Sequence, residues 1–278
     1  MTNLRIKSIA VSAIALALIF ITTAAMAGTR DSTMVFGIYS EGKPSYYNAY
    51  WKNLVEQVSL ESGQKIRLET AESAEEFEQK LSNGTYDFVL LNAHLYTQAH
   101  DAIGYQAFAK EKGQKDKGVI VVHQDSDIRS LAQLRSKTVA ISDPRRFTST
   151  VFTQAKLNQQ GIPVKLDFVD NDNSVYRAVA HKESIAGAGE IGSLNGVNPN
   201  VNSQLRVIWS SKQYSSNAFA AHPRVSTVNV GRVRNALLSL NSDLKGKQLL
   251  RKLKFKGIDI ASDKEWNDVR ELKRHLSR

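Results

Sequence analysis

Hydrophobic residues follow two alternating patterns along the chain from residue 34 onward. Short apolar runs predict buried strands, and the segments between them, whose apolar residues recur every three or four positions, predict amphipathic helices. The predicted strands lie at residues 34–39, 65–68, 86–91, 118–123, 138–141, 164–169, 185–188, 205–209 and 217–221. Because strands and helices alternate, the sequence predicts an α/β protein built on parallel sheets.

Sequence signals mark the ends of several predicted helices. Capping boxes occur at Ser73-x-x-Glu76 and Ser262-x-x-Glu265. We expect Asp127 to cap a helix that precedes the strand at 138–141, and we expect Gly161 to end a helix that begins near Thr148. Three further helices, predicted from the apolar spacing after residue 229, close the chain.

The predicted elements form two α/β units in tandem, which indicates two lobes. Ligands of open α/β sheets bind beyond the carboxyl ends of the strands, so a ligand cleft is expected where the lobes face each other. The predicted division places residues 28–122 and 213–278 in lobe 1 and residues 123–212 in lobe 2. Folds of this kind close on a ligand by hinge bending.

Residues 1–27 have the order of a secretory signal peptide. The basic residues Arg5 and Lys7 precede an apolar stretch and a small-x-small site that ends at Ala27. Cleavage after Ala27 would leave a mature chain in the periplasm. The alternative is an uncleaved membrane anchor, because the apolar stretch approaches the ~20 residues that span a bilayer.

Composition excludes several classes of protein. The 278 residues are 42% hydrophobic and 23% charged, as in ordinary folded proteins. The absence of cysteine excludes disulfides, thiolate metal sites, iron–sulfur clusters, thiol nucleophiles and a lipid-anchored cysteine. The six histidines are dispersed, and no H-E-x-x-H, G-x-S-x-G or Walker A motif occurs, so we expect no metal, no cofactor and no enzymatic activity.

The net charge is +10, and it falls to +8 without residues 1–27. A basic balance raises the possibility of nucleic acid, but an exported protein rarely meets any, so no such partner is expected. The positive residues are mostly scattered, except in the segment 245–256 (KGKQLLRKLKFK). A solvated helix face is the simpler interpretation of this segment, and contact with anionic lipid or a protein partner is the alternative.

A run of hydroxyl residues, Thr148, Ser149 and Thr150, stands at the predicted start of the helix after strand 138–141. Free N–H groups and the positive end of the helix dipole can hold an anion at such a position. Three adjacent hydroxyls exceed the one that a cap requires. The sequence therefore favours an anion-binding site here over a simple cap by Thr148.

Two further polar clusters follow predicted strands. Asn92, His94 and Tyr96 come directly after the strand at 86–91 and could hydrogen-bond a polar ligand. The alternative is a polar loop whose Tyr96 packs between elements. Asn173 and Ser174 follow a later strand, where Ser174 is either a helix cap or a ligand contact.

Several segments, taken in order, resemble a known family. These are MVFGIYSEGKP, NGTYDFVLLNAHLYTQA, VIVVHQDSDIRSLAQLRSKTVAISDP, TST, LRVIWSS and KGKQLLRKLKFKGIDIASDKEW. Their order is similar to that in the phosphate/phosphite/phosphonate-type substrate-binding proteins of ABC importers. The resemblance covers nearly all of residues 34–272. It implies the type 2 periplasmic-binding-protein fold, an α/β architecture with two lobes and a ligand cleft between them.

The resemblance also implies a ligand site. In the family a Ser-Thr-Ser-type run at a helix start holds the phosphonate oxygens, and tyrosines and an acidic residue complete the site. The corresponding positions in this chain are Thr148, Ser149 and Thr150 for the hydroxyl run, Tyr47 and Tyr96 for the tyrosines, and Glu190 for the acidic residue. One departure is Asp172-Asn173-Ser174, which stands where the family often has Gly-Ser-His, so a histidine contact is lost.

The sequence thus predicts a monomeric periplasmic solute-binding protein without enzymatic activity. It would capture a small anion, phosphonate-like or phosphate-like, and deliver it to an inner-membrane ABC permease. The alternative is a periplasmic sensor or accessory protein that docks on a membrane receptor such as a histidine kinase. That alternative is motivated by the altered ligand motif and by the basic segment 245–256.

Overall fold

The computed structural model describes residues 33–39, 45–142 and 147–276, and at 45–47, 147–148 and 274–276 it describes the backbone only. The predicted signal peptide and its cleavage site lie outside the described residues. Among the helices in these described ranges, none is long and apolar enough to cross a membrane.

The strands form two large sheets and one small sheet. The first large sheet contains β1 (Met34–Tyr39), β2 (Ile66–Ala71), β3 (Phe88–Leu91), β4 (Gln106–Glu111), β12 (Ala218–Ala221) and β13 (Ile258–Ile260), in the order β13-β4-β12-β3-β1-β2. The second contains β6 (Gly118–His123), β7 (Thr138–Ile141), β8 (Lys165–Phe168), β9 (Ala186–Glu190) and β10 (Leu205–Ser210), in the order β10-β6-β9-β7-β8. The small sheet pairs β5 (Lys115–Asp116) with β11 (Tyr214–Ser215).

Helices connect the strands and cover the sheets. The α-helices are α1 (Ser45–Ser62), α2 (Ala74–Ser82), α3 (Ala93–Ile103), α4 (Phe152–Gln159), α5 (Asp172–Ala180), α6 (Ile191–Asn195), α7 (Pro199–Asn202), α8 (Thr227–Ser239), α9 (Leu244–Lys252) and α10 (Asn267–Leu276). Short 3₁₀ turns lie at Leu131–Leu134 and Asp263–Trp266, and a π-turn lies at Phe147–Val151.

Both large sheets combine a parallel centre with antiparallel strands. In the first sheet β1 pairs in parallel with β2 and β3, and in the second β7 pairs in parallel with β8 and β9. The remaining pairs, which involve β4, β6, β10, β12 and β13, are antiparallel. The predicted α/β class is confirmed, because helices cover parallel strands in both sheets.

Burial explains the strand patterns. Every residue of β6 is buried, as expected for a strand covered on both faces. In the first sheet, Phe36 packs with Trp51 on one face, while Val35 faces a second cluster that contains Tyr96 and Trp266. The first sheet therefore separates two hydrophobic clusters, one on each of its faces.

The small sheet is a crossover between the two large sheets. β5 leads directly into β6, and β11 precedes β12, so the chain passes between the large sheets along two paired segments. The predicted lobe boundary after residue 122 would divide β6, which pairs with β9 and β10. We therefore propose that the second lobe is bounded by sheet membership, from Gly118 to Ser210.

Two predicted helix starts differ from the structure. The helix expected at Asp127 is instead the 3₁₀ turn at Leu131–Leu134, where the Ser130 backbone N–H donates to the Gln133 side chain at 3.2 Å. The helix expected to begin near Thr148 opens as the π-turn and becomes α-helical only at Phe152. At the first place, the local pair of Ser130 and Gln133, which lies three residues beyond Asp127, marks the start of the turn.

Candidate functional site

The carboxyl ends of parallel strands from both large sheets lie beside the crossover. Leu91, the last residue of β3, pairs with Ala218 just after β11. Glu190, the last residue of β9, pairs with Gly118 just after β5. Because β5 and β11 pair with each other, the strand ends of the two sheets meet at this junction. Open α/β sheets bind their ligands at such an edge.

The π-turn carries two of the three predicted anion-binding hydroxyls into a buried position. Ser149 is 0% exposed and Thr150 is 1% exposed. Within the described residues, Ser149 Oγ accepts and donates no hydrogen bond, and neither does Thr153 Oγ1 further along the same helix. The Thr148 side chain lies outside the described residues.

These hydroxyls do not serve as helix caps. The residue at the cap position of α4 is Val151, which makes no side-chain capping hydrogen bond. Burying a hydroxyl without a partner costs about 1–3 kcal/mol of folding free energy. The chain therefore keeps hydrogen-bonding capacity at Ser149 and Thr153 that folding does not use.

Aromatic packing holds the π-turn against the crossover. The ring centroids of Phe152 and Tyr214 are 4.3 Å apart, and both side chains are buried. Val269 and Leu272 of α10 belong to the same hydrophobic cluster. The start of α4 is thus packed against β11 and the C-terminal helix. A π-turn in a helix is frequent at functional sites.

The end of β7 is tied to the start of α5. Ser142 Oγ donates a hydrogen bond to Asp172 Oδ1 at 2.5 Å, and Asp172 is buried. Asn171, rather than Ser174, caps α5, since Asn171 Oδ1 accepts from the Ser174 backbone N–H at 3.0 Å. The interpretation of Ser174 as the cap is therefore wrong. Asn173 is exposed in the first turn of the same helix.

The cluster after β3 begins a helix, not the polar loop that the sequence suggested. Asn92 caps α3, and its Oδ1 accepts from the Leu95 backbone N–H at 2.9 Å. His94 lies in the first turn and is half-buried. Burial, with a smaller contribution from the charge of Lys273, lowers the pKa of His94 to about 4. The imidazole is therefore neutral at neutral pH.

Tyr96 is fully buried inside the first large sheet's core. Its hydroxyl donates to Asp263 Oδ1 at 2.7 Å and accepts from the Ala107 backbone N–H at 3.2 Å. Its ring lies against Trp266, with centroids 4.7 Å apart. Burial, together with the Asp263 hydrogen bond, raises the pKa of Tyr96. Tyr96 thus packs between elements, which was one of the two alternatives, and its contact with a ligand stays a prediction.

Glu190 stands where β9 ends and α6 begins, and it is partly exposed. Its backbone carbonyl accepts a hydrogen bond from the Tyr176 hydroxyl at 2.8 Å. Gly189 makes this possible, because a Cβ at that position would overlap the same hydroxyl. The side chain of Tyr47, predicted at the other lobe, lies outside the described residues.

Two buried carboxyl groups lie at the crossover: Glu111 is the last residue of β4, and Asp116 is in β5. Burial raises the pKa of Glu111 to about 7, and the charge of Glu190 adds to the increase. Burial likewise raises the pKa of Asp116 to about 6, although a hydrogen bond with Ser216 opposes the shift. Part of the acidic charge at this edge is therefore neutralised by protons near pH 6.

Thr153 is a candidate residue that the sequence analysis missed. It follows Ser149 by four positions and Thr150 by three, and residues at these spacings lie on one helix face. That spacing was a usable signal. The hydrogen bond between Ser142 and Asp172 had no comparable signal, since the two residues lie on different elements.

Comparison with solved structures shows the fold. A binding protein component of an ABC phosphonate transporter from Pseudomonas aeruginosa matches with a TM-score of 0.70 and 18% identity, covering 88% of this chain and 86% of that chain. PhnD1 from Prochlorococcus marinus, in complex with methylphosphonate, matches with a TM-score of 0.73 and 17% identity, covering 89% and 99%. XAC2383 from Xanthomonas citri, bound to ATP, matches with a TM-score of 0.75 and 17% identity, covering 89% and 98%. This chain therefore has the two-lobed fold of periplasmic binding proteins.

A family comparison goes further than the fold. No curated protein matches the chain. The family described as the periplasmic substrate-binding protein of phosphonate ABC transporters matches residues 36–266, which is most of the chain. The predicted resemblance is confirmed: the chain belongs to the family of periplasmic phosphonate-binding proteins of ABC transporters, which are binding proteins and not enzymes.

Proposed function

We propose that this phosphonate-binding protein holds its anion at the π-turn beside the crossover. The main support for this proposal is the pair of buried hydroxyls, Ser149 Oγ and Thr153 Oγ1, which have no hydrogen-bond partner among the described residues. A phosphonate or phosphate group presents oxygens that accept hydrogen bonds from such hydroxyls. The N–H groups and the dipole at the start of this helix attract the same negative charge.

The remaining contacts come from strand ends on both sides of the crossover. In addition to Thr153, the proposed ligand-binding residues are Thr148, Ser149, Thr150, Tyr47, Asn92, His94, Tyr96, Asn173, Ser174 and Glu190. Glu190 would accept a hydrogen bond from a protonated phosphonate oxygen, so it would favour the monoanion over the dianion. Neutral His94 can donate one hydrogen bond without adding charge.

Calorimetric titration with methylphosphonate, phosphate and phosphite tests this site. We expect Ser149→Ala to weaken binding of the preferred anion about 10- to 100-fold, because one hydrogen bond to a charged group is lost. The thermal midpoint of the ligand-free variant should be unchanged or higher, since a buried unpaired hydroxyl is removed. A structural role would instead lower that midpoint.

Ser203→Ala is the matched control. Ser203 is exposed, and its hydroxyl bonds only within its own turn, to the Asn200 carbonyl. The control should bind like the wild type. If Ser149→Ala bound each of the three anions as tightly as the wild type does, the proposed site would be wrong. If the wild type bound none of them, the proposed ligand class would be wrong.

Export and assembly form a separate part of the proposal. The family is periplasmic, and we propose that cleavage after Ala27 releases a monomer that delivers its anion to an inner-membrane ABC permease. The intact mass of protein recovered from the periplasm should correspond to a chain that begins at Gly28. A retained N-terminal segment would favour the anchored alternative.

A sensor role is not favoured. The family that matches residues 36–266 consists of transporter binding proteins. The altered motif at 172–174 and the basic segment at 245–256, which motivated the sensor alternative, are compatible with transport.

A further inference from the structure

Residues 245–256 form a dense basic patch that the ligand site does not use. The segment contains five lysines, one arginine and no acidic residue. All six basic side chains are exposed on α9 and the turn that follows it: Lys245, Lys247, Arg251, Lys252, Lys254 and Lys256. We call these six residues the basic patch. Lys112 extends it, since its side chain lies beside Gly257.

The basic patch is not neutralised by ion pairs. The ion pairs among the described residues include none of its six members, and Lys252 instead lies over the Tyr50 ring at 5.4 Å. The acidic residue that lines the adjoining groove with Lys245 and Lys252 is Glu56, which faces Lys52 at 4.0 Å. A concentrated positive charge therefore faces solvent.

One buried acid, Glu111, lies near the end of the patch. The charge of Lys256 lowers the pKa of Glu111, but burial raises it more, to about 7. Because Glu111 is partly protonated near neutral pH, it offsets only part of one of the six positive charges. The patch remains strongly positive.

Local energetics disfavour three of these basic residues, whereas the helix dipole favours Arg251 and Lys252 in the last turn of α9. Lys245 and Lys247 lie in the first turn of α9, where the positive end of the helix dipole disfavours cations. Lys254 has φ +63°, a left-handed conformation that favours glycine. Three of the six charges thus stand where the local backbone disfavours them, which indicates a role outside the folding of α9.

We infer that the basic patch binds the anionic phospholipid headgroups of a membrane surface. Lysine predominates, and lysine is a flexible, strongly hydrated point charge that is depleted in protein–protein interfaces, where arginine and aromatic residues are enriched. A diffuse anionic surface fits this composition better than a protein partner. Each basic residue near such a surface increases binding about fivefold.

The apolar side chains beside the basic patch indicate that it contacts the membrane surface without inserting into the bilayer. Leu60 and Leu244 are 75% and 71% exposed, and Leu60 lines the same groove as Lys245. The apolar face of α9 is already occupied, since Leu249 and Leu250 are buried in the protein. The helix therefore lies on the headgroups instead of entering the bilayer, and it holds the protein close to the membrane that contains the permease.

Vesicle sedimentation tests the inference with protein recovered from the periplasm. Vesicles of phosphatidylethanolamine and phosphatidylglycerol should bind the wild type, binding should fall steeply with added salt, and vesicles of phosphatidylcholine should bind weakly. The variant Lys247→Gln/Lys254→Gln/Lys256→Gln should bind the anionic vesicles on the order of 100-fold more weakly.

A matched control removes the same charge elsewhere. Arg135→Gln/Lys165→Gln/Lys182→Gln replaces three exposed basic residues of the second sheet's unit, and Lys182, like Lys254, has φ +63°. This control should bind anionic vesicles like the wild type. Both triple variants should retain wild-type affinity for methylphosphonate, so failure of this inference is distinguishable from failure of the ligand site.

Lys254→Gly gives a second, independent readout. It removes one charge and relieves the left-handed backbone, so it should raise the thermal midpoint while weakening vesicle binding about fivefold. Equal binding of the patch variant and the wild type to anionic vesicles would overturn the inference. The inference would also be overturned if the patch variant bound purified permease in detergent more weakly than the wild type does, while both bound vesicles equally.

Discussion

Glu111, at the end of β4, and Asp116, in β5, are carboxyl groups that folding buries at the crossover. Each has a pKa raised mainly by burial, to about 7 for Glu111 and about 6 for Asp116. A carboxyl whose pKa is raised binds its proton more tightly in the native than in the unfolded state. The free energy of unfolding therefore falls as pH rises from the ordinary carboxyl range through these values.

Glu111→Gln tests this linkage. For the wild type, the free energy of unfolding from urea titrations should decrease between about pH 5 and pH 7.5. In the variant that decrease should be smaller by about 2–3 kcal/mol, because the interval between pKa 4.5 and about 7 no longer contributes.

The control for this experiment is Glu72→Gln, at an exposed position on the protein surface. It should keep the wild-type pH dependence. An unchanged slope in Glu111→Gln would mean that this carboxyl keeps its charge in the native protein.

Residue identity alone accounts for part of the candidate site. Three adjacent hydroxyls after a strand indicate an anion-binding position from local sequence. Sequence does not reveal that Ser149 Oγ is unpaired or that the Tyr96 hydroxyl is used by Asp263. Those facts depend on partners that are distant along the chain.

At the scale of elements, the close approach of α5 to β9 positions the carboxyl end of β9, where we propose part of the ligand site. β9 has the sequence AGAGE, and its two glycines face the helix. A Cβ at Gly187 would overlap Val175, and a Cβ at Gly189 would overlap the Tyr176 hydroxyl. The glycines thus allow Tyr176 to reach the carbonyl of Glu190 and hold the end of the strand.

Gly189→Ala should destabilise the protein by about 1–3 kcal/mol, because the added methyl group overpacks this contact. Chemical denaturation measures the change. Loss of the hydrogen bond from Tyr176 to Glu190 should also weaken anion binding, since Glu190 would shift.

Gly231→Ala is the control for the glycine variant. Gly231 lies within α8, and a Cβ there meets no atom within 4 Å. This substitution should stabilise the protein by about 0.5–1 kcal/mol. If both variants shifted stability in the same direction, close packing at Gly189 would not be the cause.

Strands and helices with strong local patterns were predicted, and those with weak patterns were missed. β6 and β7 have the predicted bounds. β4 has the sequence QAFAKE and was not predicted, because its strand character comes from pairing with β12 and β13 on its two sides. α3 was missed because its capping residue, Asn92, also suits a loop.

For the whole molecule, the crossover is the expected hinge. Two paired segments connect the large sheets, and Phe152 on one side packs against Tyr214 in the crossover itself. α10 adds a second link, since Val269 and Leu272 belong to the same hydrophobic cluster. Closing on a ligand would therefore bend the chain at β5 and β11 while the packing around Phe152 is kept.

Small-angle scattering tests closure. The radius of gyration should decrease on addition of methylphosphonate, and at about 100 times the dissociation constant the ligand should add about 2.7 kcal/mol to the stability by mass action. At the same ligand concentration, Ser149→Ala should show a smaller decrease in the radius of gyration and a smaller gain in stability. A radius that is unchanged at saturation, despite calorimetric binding, would mean that the lobes are already fixed.

The sequence by itself determined the α/β class, most strands of the two parallel centres, the family and the hydroxyl run. These features depend on periodicity and on short motifs, which are local properties of the chain. Only the tertiary structure decided that β6 belongs to the second sheet and that Ser149 and Thr153 are buried without partners among the described residues. Burial and pairing arise when residues far apart in sequence meet, so no local pattern specifies them.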